Sequence, residues 1–292
     1  MPGHRIDVHT HAFFEKAFQA LAAHGYQPKG GYQISVQWTP QAALEYMDRH
    51  EIAAQILSLP MTFAGMADDP ELGTRLSRQV NEGYAELIAK YPNRFGAFAT
   101  LPGDGPEQAL AELAYALDEL ERRQTPVFVH PTDCPYIDVL GFGRPSSIVE
   151  FPFDTARTIT NGLYTGLFQR HPGLRLILAH CGGVLPTLGW RIGEHTVMGR
   201  GPEDAEIDPG HVATVLRGLY YETALAGSRN SLLPTLEVTS PDHILFGTDW
   251  PAAPEATAVH NIENLMAFDG FTAEQLRGVE RDNALTLFPR FG

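Results

Sequence analysis

Residues 5–11 read Arg-Ile-Asp-Val-His-Thr-His, and this stretch is the starting point for both the fold and the chemistry. Its apolar and β-branched residues are typical of a strand, in which alternate side chains lie on the same face. His9 and His11 are therefore expected to point the same way, and two imidazoles on one face form half of a first-row metal site. Because His-x-His arises often by chance, the prediction depends on the segments that follow.

Three later apolar runs also end in a side chain that binds metals or transfers protons. Val, Ile, Leu and Phe dominate these runs with little alternation, which is typical of parallel strands buried on both faces. The runs and their terminal residues are 126–131 with His130, 174–180 with His180, and 243–250 with Asp249. Active sites of (β/α) barrels form at the C-terminal ends of the strands, so we expect all five side chains to meet there.

The chain as a whole alternates between strand and helix patterns, which predicts an α/β fold with a parallel sheet. We expect a barrel of the (β/α)8 TIM type. The predicted strands are 5–11, 53–59, 95–101, 126–130, 174–180, 219–224 and 243–248. Amphipathic helices are predicted between them, for example at 69–91 and 153–170. Thr39 and Pro40 are a typical N-cap and first residue of a helix.

Composition limits the classes of function. A chain of 292 residues without a Pro/Ser-rich linker fits one barrel domain over residues 1–292. The formal net charge of −14 argues against nucleic acid or an anionic membrane surface as a partner. No secretory signal and no membrane-spanning run are visible. Because Cys134 and Cys181 do not form a disulfide framework, we expect a cytoplasmic protein.

Four segments together resemble the amidohydrolase superfamily, and within it the aminocarboxymuconate-semialdehyde decarboxylase branch with the 6-methylsalicylate and hydroxybenzoate decarboxylases. The segments are Asp-Val-His-Thr-His at 7–11, Val-Phe-Val-His-Pro at 127–131, Leu-Ala-His-Cys-Gly-Gly-Val-Leu-Pro at 178–186 and Leu-Phe-Gly-Thr-Asp-Trp-Pro at 245–251. Residues 91–102 and 190–192 add to the resemblance, which covers nearly the whole chain.

The resemblance implies a role for each of the five residues. His9, His11 and His130 would bind a divalent metal, Asp249 would reach the metal and transfer protons, and His180 would be a catalytic partner beside it. Three imidazoles and one carboxylate favour Zn²⁺, with Mn²⁺ as the alternative. No organic cofactor is expected, because the aromatic ring of the substrate serves as the electron sink. Homodimers or homotetramers are a further implication of the resemblance.

One departure from the family pattern lies between residues 102 and 126. This interval has room for a single helix, predicted at 106–122, where a family member would have a further strand–helix unit. Seven strands are predicted, whereas a closed barrel of this type has eight. Unpaired backbone groups along such a gap are costly when buried. A rearrangement of the chain, a covering loop or subunit, or a segment absent from this sequence would resolve the gap.

Three functions are compatible with the pattern. The first is non-oxidative decarboxylation of an aromatic acid with an ortho hydroxyl group, a salicylate-type substrate. The second is hydrolysis of a lactone or amide by a metal-activated water. The third is a non-catalytic relative that keeps the site but has lost activity with the missing unit. The released product distinguishes the first two, since one releases carbon dioxide and the other a ring-opened acid.

Aromatic and arginine side chains in the predicted loops are the candidates for contact with the substrate. Flat rings in loops at the C-terminal face suit an aromatic ligand, and a guanidinium can hold a carboxylate through two hydrogen bonds. These candidates are Phe14, Trp38, Tyr136, Arg144, Arg229 and Trp250. For each of them, ordinary packing or a solvated surface position is the alternative.

Overall fold

The strands that carry the predicted site residues are all present in the structure. A computed structural model of the protein describes residues 3–12, 14, 19, 23, 38–59, 70–100, 122–132, 136–199 and 207–292. The strands in these ranges are β1 (Arg5–His11), β2 (Ile52–Ser58), β3 (Phe95–Ala97), β4 (Pro126–Val129), β5 (Arg175–Leu178), β6 (Tyr220–Glu222) and β7 (Ile244–Leu245). Each predicted strand is therefore confirmed in position, although most are shorter than predicted.

Helices alternate with the strands along the chain. They are α1 (Pro40–Arg49), α2 (Pro70–Lys90), α3 (Ile137–Leu140), α4 (Glu150–Tyr164), α5 (Leu167–Arg170), α6 (Leu185–Val197), α7 (Pro209–Gly218), α8 (Arg229–Val238), α9 (Glu255–Met266), α10 (Ala273–Arg277) and α11 (Asn283–Leu287). Shorter 3₁₀ or π-helical turns lie at His180–Gly182, Pro241–His243, Gly278–Asp282 and Pro289–Phe291. None of the helices in the described ranges has the length and apolar composition needed to cross a bilayer.

Two helix ends illustrate how the sequence sets these boundaries. The Thr39 side chain accepts a hydrogen bond from the backbone N–H of Ala42, and Pro40 begins α1, as predicted. The single helix predicted at 153–170 is instead divided into α4 and α5. Gly166 lies between the two with a φ of 73°, a left-handed conformation that typically ends a helix.

The strands run parallel in two sheets, ordered β1-β2-β3 and β4-β5-β6-β7. The two sheets meet beyond the end of β7. There the backbone N–H of Asp249 donates to the carbonyl oxygen of His9 at 2.8 Å. A parallel bridge also joins Thr10 and Trp250. These bonds close one side of the structure and bring two candidate metal-binding segments together, and the fold is a parallel (β/α) barrel of the TIM type.

A central apolar cluster lies next to the candidate site. It includes side chains from five strands, namely Ile6, Val8, Ala54, Ile56, Phe128, Ile177 and Leu245. The ring of Phe128 lies 4.9 Å from the ring of His9, so the cluster directly contacts the site. Burial of side chains of this size contributes about 1.5–3 kcal/mol each. The histidines therefore rest on a closely packed support.

The predicted gap between β3 and β4 falls mostly on residues 101–121, which lie outside the described residues. The predicted helix at 106–122 lies outside them too, apart from its last residue. At the edges that the structure describes, Phe98 follows β3 and stacks on Phe128 of β4, with ring centroids 5.1 Å apart. A side-chain contact thus links the ends of these two strands.

Candidate metal centre

Strand β1 carries two buried histidines to the C-terminal end of the barrel. Its pairing with β2 is irregular between Asp7 and Thr10, beside His9. The His9 and His11 rings lie 5.0 Å apart, and their Nε2 atoms are 3.2 Å apart. The two imidazoles therefore meet on one side of the strand and direct equivalent nitrogens at the same region.

His130 and Asp249 complete a group of four side chains around one point. The His130 ring lies 5.0 Å from the His9 ring and 5.1 Å from the His11 ring. The Asp249 Oδ1 atom lies 2.9 Å from His11 Nε2 and 3.3 Å from His9 Nε2. One potential ligand atom from each of the four residues lies within 4.8 Å of all the others. This donor set is that of a first-row divalent metal.

The other nitrogen of each imidazole is already engaged, which leaves Nε2 available to a metal. The Nδ1 contacts are His9 with Glu222 Oε1 at 2.8 Å, His11 with Ser58 Oγ at 3.0 Å, and His130 with the carbonyl oxygen of Pro131 at 2.7 Å. Donation of the Nδ1 proton to an oxygen fixes the tautomer and the ring orientation that suit a metal ligand. The residues present therefore fit a divalent metal.

Charge is distributed over the site in a way that also suits a metal. Burial raises the pKa of Asp249, but the neighbouring His9 and His11 lower it by a larger amount, so this pKa lies well below its usual range. Burial lowers the pKa of His130 well below its ordinary value, and the nearby histidines add to the effect. Burial would also lower the pKa of His9, but the Glu222 and Asp249 carboxylates raise it to about 10. A carboxylate Asp249 and a neutral His130 are the forms in which these side chains bind metals, whereas His9 would release a proton when a metal binds.

His180 lies beside this group and is held by a strained turn. Its ring is 4.9 Å from the His9 ring and 5.9 Å from the His130 ring. Its Nδ1 donates to the carbonyl oxygen of Ala224 at 2.9 Å. His180 and Cys181 both have positive φ angles, of 55° and 53°, a conformation that costs energy in residues other than glycine. The strain turns the His180 ring toward the site instead of continuing the direction of β5.

Cys181 itself has no catalytic features. The thiol is buried, and burial raises its pKa to about 12, so it is protonated near neutral pH. Cys181 is therefore a small buried residue and not a nucleophile.

A cavity of about 510 Å³ opens onto three of these side chains. His130, His180 and Asp249 lie in its wall, so a bound molecule would contact both the candidate ligands and the candidate catalyst. Most of the remaining wall is apolar or small. It consists of Ser147, Ile148, Phe151, Pro152, Gly183, Val184, Leu225, Ala226, Ser231, Ala252, Ala253, Pro254 and Thr257. The volume suits a small organic ligand.

A family model described as amidohydrolase matches residues 116–290, which is more than half of the chain. The chain belongs to the amidohydrolase family. This finding confirms the resemblance that the segments around His130, His180 and Asp249 indicated.

Individual relatives of this amidohydrolase are similar over nearly its whole length. The 6-methylsalicylic acid decarboxylase acuB of Aspergillus aculeatus is 31% identical, covering 98% of this chain and 96% of the relative. A crystal structure of an amidohydrolase II is 26% identical, with a TM-score of 0.85 over 98% of this chain and 99% of the other. A dihydroxybenzoic acid decarboxylase from a Polaromonas species, solved with manganese and 2-nitroresorcinol, has a TM-score of 0.76 at 23% identity, covering 99% and 97% of the two chains.

The alignment with the Aspergillus aculeatus relative also bears on the predicted gap. It spans 326 positions, whereas this amidohydrolase has 292 residues. The relative therefore contains residues that this chain lacks, as a missing unit requires. The position of those residues along the chain stays a prediction.

The six predicted substrate contacts do not line the cavity that the described residues form. Trp250 is buried and stacks on Tyr46 at 4.4 Å. Phe14 packs against Trp38 at 5.6 Å, in a cluster that lies on the helix side of the barrel.

The polar candidates are at the surface of the amidohydrolase. Tyr136 is 70% exposed, and Arg144 is also exposed. Arg229 forms an ion pair with Asp269, so it is not free to bind a carboxylate in this arrangement. The spacing of these residues along the sequence carried no information about the direction in which each side chain points.

Two supporting residues were missed by the sequence reasoning. Glu222 contacts His9 Nδ1, and it also accepts hydrogen bonds from the backbone N–H groups of His180 and Ala224. Ser58 contacts His11. Both residues lie at the C-terminal ends of strands. A polar residue at the end of an apolar run was the feature of the sequence that could have identified them. Glu222, a charged residue within the run Leu-Tyr-Tyr-Glu-Thr-Ala at 219–224, was the more conspicuous of the two.

Asp7 was also missed, and it ties two ligand-bearing segments together. Its carboxylate accepts hydrogen bonds from the backbone N–H groups of His9 and Thr248, from the Thr248 hydroxyl at 2.7 Å and from Gln55. Burial raises the pKa of Asp7 to about 7, although these hydrogen bonds lower it in part. Asp7 therefore holds β1 against the segment that carries Asp249.

Glu222→Gln is expected to weaken metal binding by about 10- to 100-fold, because partners of metal-bound histidines contribute this much. The neutral amide keeps the size of the side chain but removes the charge that orients His9 Nδ1. Metal affinity can be measured by titration of the chelator-treated protein, with Glu237→Gln on the exposed side of α8 as the control. Wild-type affinity in Glu222→Gln would show that Glu222 does not support the metal site.

Proposed function

We propose that the protein is a metal-dependent, non-oxidative decarboxylase of aromatic carboxylic acids that carry an ortho hydroxyl group. The observation that carries this proposal is a single cavity with His130, His180 and Asp249 in its wall and mostly apolar residues around them. Such a cavity suits a flat ring with polar groups at one edge. The names of the relatives, 6-methylsalicylic acid decarboxylase and dihydroxybenzoic acid decarboxylase, support the same class of substrate.

His9, His11, His130 and Asp249 would hold a divalent metal, since their ligand atoms converge within 4.8 Å. When bound, the metal would supply a positive charge that holds and polarises the carboxylate and hydroxyl oxygens of the substrate. The manganese in the Polaromonas structure moves our expectation from Zn²⁺ to Mn²⁺. A carboxylate ligand is compatible with either ion, and imidazoles favour Zn²⁺, so Zn²⁺ is kept as the alternative.

Asp249 would move the proton. Its pKa lies well below the usual range, so it meets the substrate as a carboxylate. It would first accept the proton of the ortho hydroxyl group, and then deliver that proton to the ring carbon that bears the carboxylate. The bond between this carbon and the carboxylate breaks, its electron pair returns to the ring, and carbon dioxide leaves.

His180 would stabilise the charge that develops on the substrate oxygens during this step. Its Nδ1 donates to the carbonyl oxygen of Ala224, and its ring lies in the wall of the cavity. A polar group held in place before the reaction contributes more than one that must reorient. The hydrolase alternative would use the same residues to activate a water molecule.

His180→Ala is expected to retain bound metal and to lower kcat by about 10²- to 10³-fold, the usual loss when one oriented electrostatic group is removed. Metal content and kcat would be measured on the same preparation, with the exposed His260→Ala, outside the cavity wall, as the control. A large loss of metal from His180→Ala would mean that this residue is a ligand and not a catalyst.

The proposed function is tested by measuring carbon dioxide released from ortho-hydroxybenzoates by purified protein whose metal content is known. Release should stop on chelation and return when Mn²⁺ or Zn²⁺ is added. The control substrate is 4-hydroxybenzoate, which lacks the ortho oxygen and should react poorly. No release by a fully loaded protein would contradict the decarboxylase proposal. Formation of ring-opened acids from lactones would then favour the hydrolase, and the absence of either product would favour a non-catalytic relative.

Assembly and location complete the proposal. We expect a homodimer or homotetramer in the cytoplasm, acting on a small aromatic acid without nucleic acid or membrane partners. Sedimentation of the purified protein measures the assembly directly.

A further inference from the structure

Leu225 has an unusual combination of backbone conformation and exposure. It lies in the turn between β6 and α8 and has a φ of 52°. Residues other than Gly and Asn seldom adopt this left-handed backbone conformation. Its side chain is 48% exposed, whereas Tyr221, Glu222, Thr223 and Ala224 before it and Ala226 and Gly227 after it are buried. The chain thus holds a large apolar residue in a strained position without burying it in the core.

The turn around Leu225 is held by a backbone hydrogen bond and by the side chain of Asn261. The backbone N–H of Ala226 donates to the carbonyl of Thr223 at 2.9 Å, which makes Leu225 the third residue of a β-turn. Asn261 contacts the turn twice, donating to the Thr223 carbonyl at 2.9 Å and accepting from the Gly227 N–H at 2.8 Å. The position of Leu225 is therefore set by the framework of the protein.

The same turn is bonded directly to the candidate active site. The carbonyl oxygen of Ala224 accepts from His180 Nδ1 at 2.9 Å, and the N–H of Ala224 donates to Glu222 Oε2 at 2.7 Å. Leu225 follows immediately and lines the cavity that His180 and Asp249 also line. Its open side therefore faces the space in which a substrate would bind.

From this geometry we infer that Leu225 determines which ring substituents the enzyme accepts. Glycine would fit the turn without strain, so the leucine side chain is retained for what it contacts. An isobutyl group in the cavity wall favours an apolar substituent, such as a methyl group, over a hydroxyl group, which would lose its hydrogen bonds to water there. Ser231 and Thr257 offer hydroxyl groups elsewhere in the same wall. The identity of residue 225 therefore affects the relative affinity for acids with a methyl and with a hydroxyl substituent. This inference rests on the proposed function for its choice of ligand.

The test compares two acids that differ at one ring position, 6-methylsalicylate with a methyl group and 2,6-dihydroxybenzoate with a hydroxyl group. Leu225→Asn keeps a side chain of similar length, and asparagine tolerates the left-handed conformation. The ratio of the two dissociation constants would be measured by calorimetry on metal-loaded protein, together with kcat/KM for each acid. We expect the preference of the wild type for the methyl acid to fall by about tenfold or more in Leu225→Asn, the lower end of what one methyl group contributes in a fitted pocket.

A second readout separates this role from a structural one. Because the strain is relieved, the thermal midpoint of Leu225→Asn should be unchanged or higher, although the preference changes. The matched control is Leu233→Asn, at a position on α8 that is 41% exposed and is not in the cavity wall; its preference should equal that of the wild type.

The possible results bear separately on the role of Leu225 and on the proposed function. An unchanged preference in Leu225→Asn would overturn the inference. A marked fall in the thermal midpoint together with an equal loss of affinity for both acids would overturn it as well. If the wild type binds the acids but releases no carbon dioxide, the proposed function fails, and the binding preference still tests Leu225. Absence of binding to either acid would overturn both.

Discussion

Asp249→Asn is expected to lower kcat by at least about a thousandfold, within the range that proton transfer by a positioned side chain contributes. An amide of the same size can neither accept the hydroxyl proton of the substrate nor deliver a proton to the ring carbon. The carboxylate is also the negative charge that lies 2.9 Å from His11 Nε2 and 3.3 Å from His9 Nε2. Its removal therefore affects both the chemistry and the charge balance of the metal site.

Metal content and turnover must be measured on the same preparation of Asp249→Asn. Three imidazoles remain, so part of the metal should stay bound, and the loss of kcat should persist when the metal is saturating. The control is Asp269→Asn, which removes an exposed carboxylate that pairs with Arg229; its turnover should be unchanged. If saturating metal restored a tenth or more of the wild-type kcat to Asp249→Asn, the proton-transfer role would be wrong.

The location of the site could be predicted from the sequence because barrel geometry fixes where strand ends lie. The segments that carry His9 and His11, His130, and Asp249 are far apart in the chain, yet each is an apolar run that ends in these side chains, and parallel strands end at one face. The structure brings the four side chains together within 4.8 Å. His180 is an exception in detail. Its ring orientation depends on positive φ angles at residues 180 and 181, which the sequence signalled only through the two glycines that follow.

The walls of the cavity could not be predicted in the same way. Loop residues point in directions set by individual backbone angles and by packing partners, and neither is visible in residue spacing. Trp250 faces Tyr46 instead of the cavity, and Arg229 pairs with Asp269. Leu225, by contrast, lines the cavity although nothing in its sequence surroundings distinguishes it from an ordinary strand residue.

Strand lengths show a related limit. The apolar run at 243–248 predicts a strand of that length, whereas only Ile244–Leu245 has regular pairing. Beyond it, the backbone departs from the ladder and bonds to β1, for example from Asp249 to His9. Hydrophobicity reports burial, which continues through Phe246, but it does not report where regular hydrogen bonding ends. The departure itself is functional, because it delivers Asp249 to the site.

His130→Ala is expected to weaken metal binding by more than about 100-fold, since loss of a direct ligand exceeds the loss caused by removing its supporting partner. The centroid of the His130 ring lies 5.0 Å from that of His9 and 5.1 Å from that of His11. Its Nδ1 is held by the carbonyl of Pro131, so Nε2 is the atom that alanine removes from the metal. Metal bound after dialysis against buffer without metal measures the effect.

The stability of His130→Ala separates loss of a ligand from loss of the fold. Because the pKa of His130 lies well below its ordinary value, the neutral ring is removed and no buried charge is left unpaired in its place. The chelator-treated wild type and the chelator-treated variant should therefore unfold at similar temperatures, and only the wild type should gain stability when metal is added. The exposed His260→Ala serves as the control and should keep both metal and stabilisation. Full metal occupancy in His130→Ala would show that His130 is not a ligand, and His180 would then be the candidate for the third imidazole.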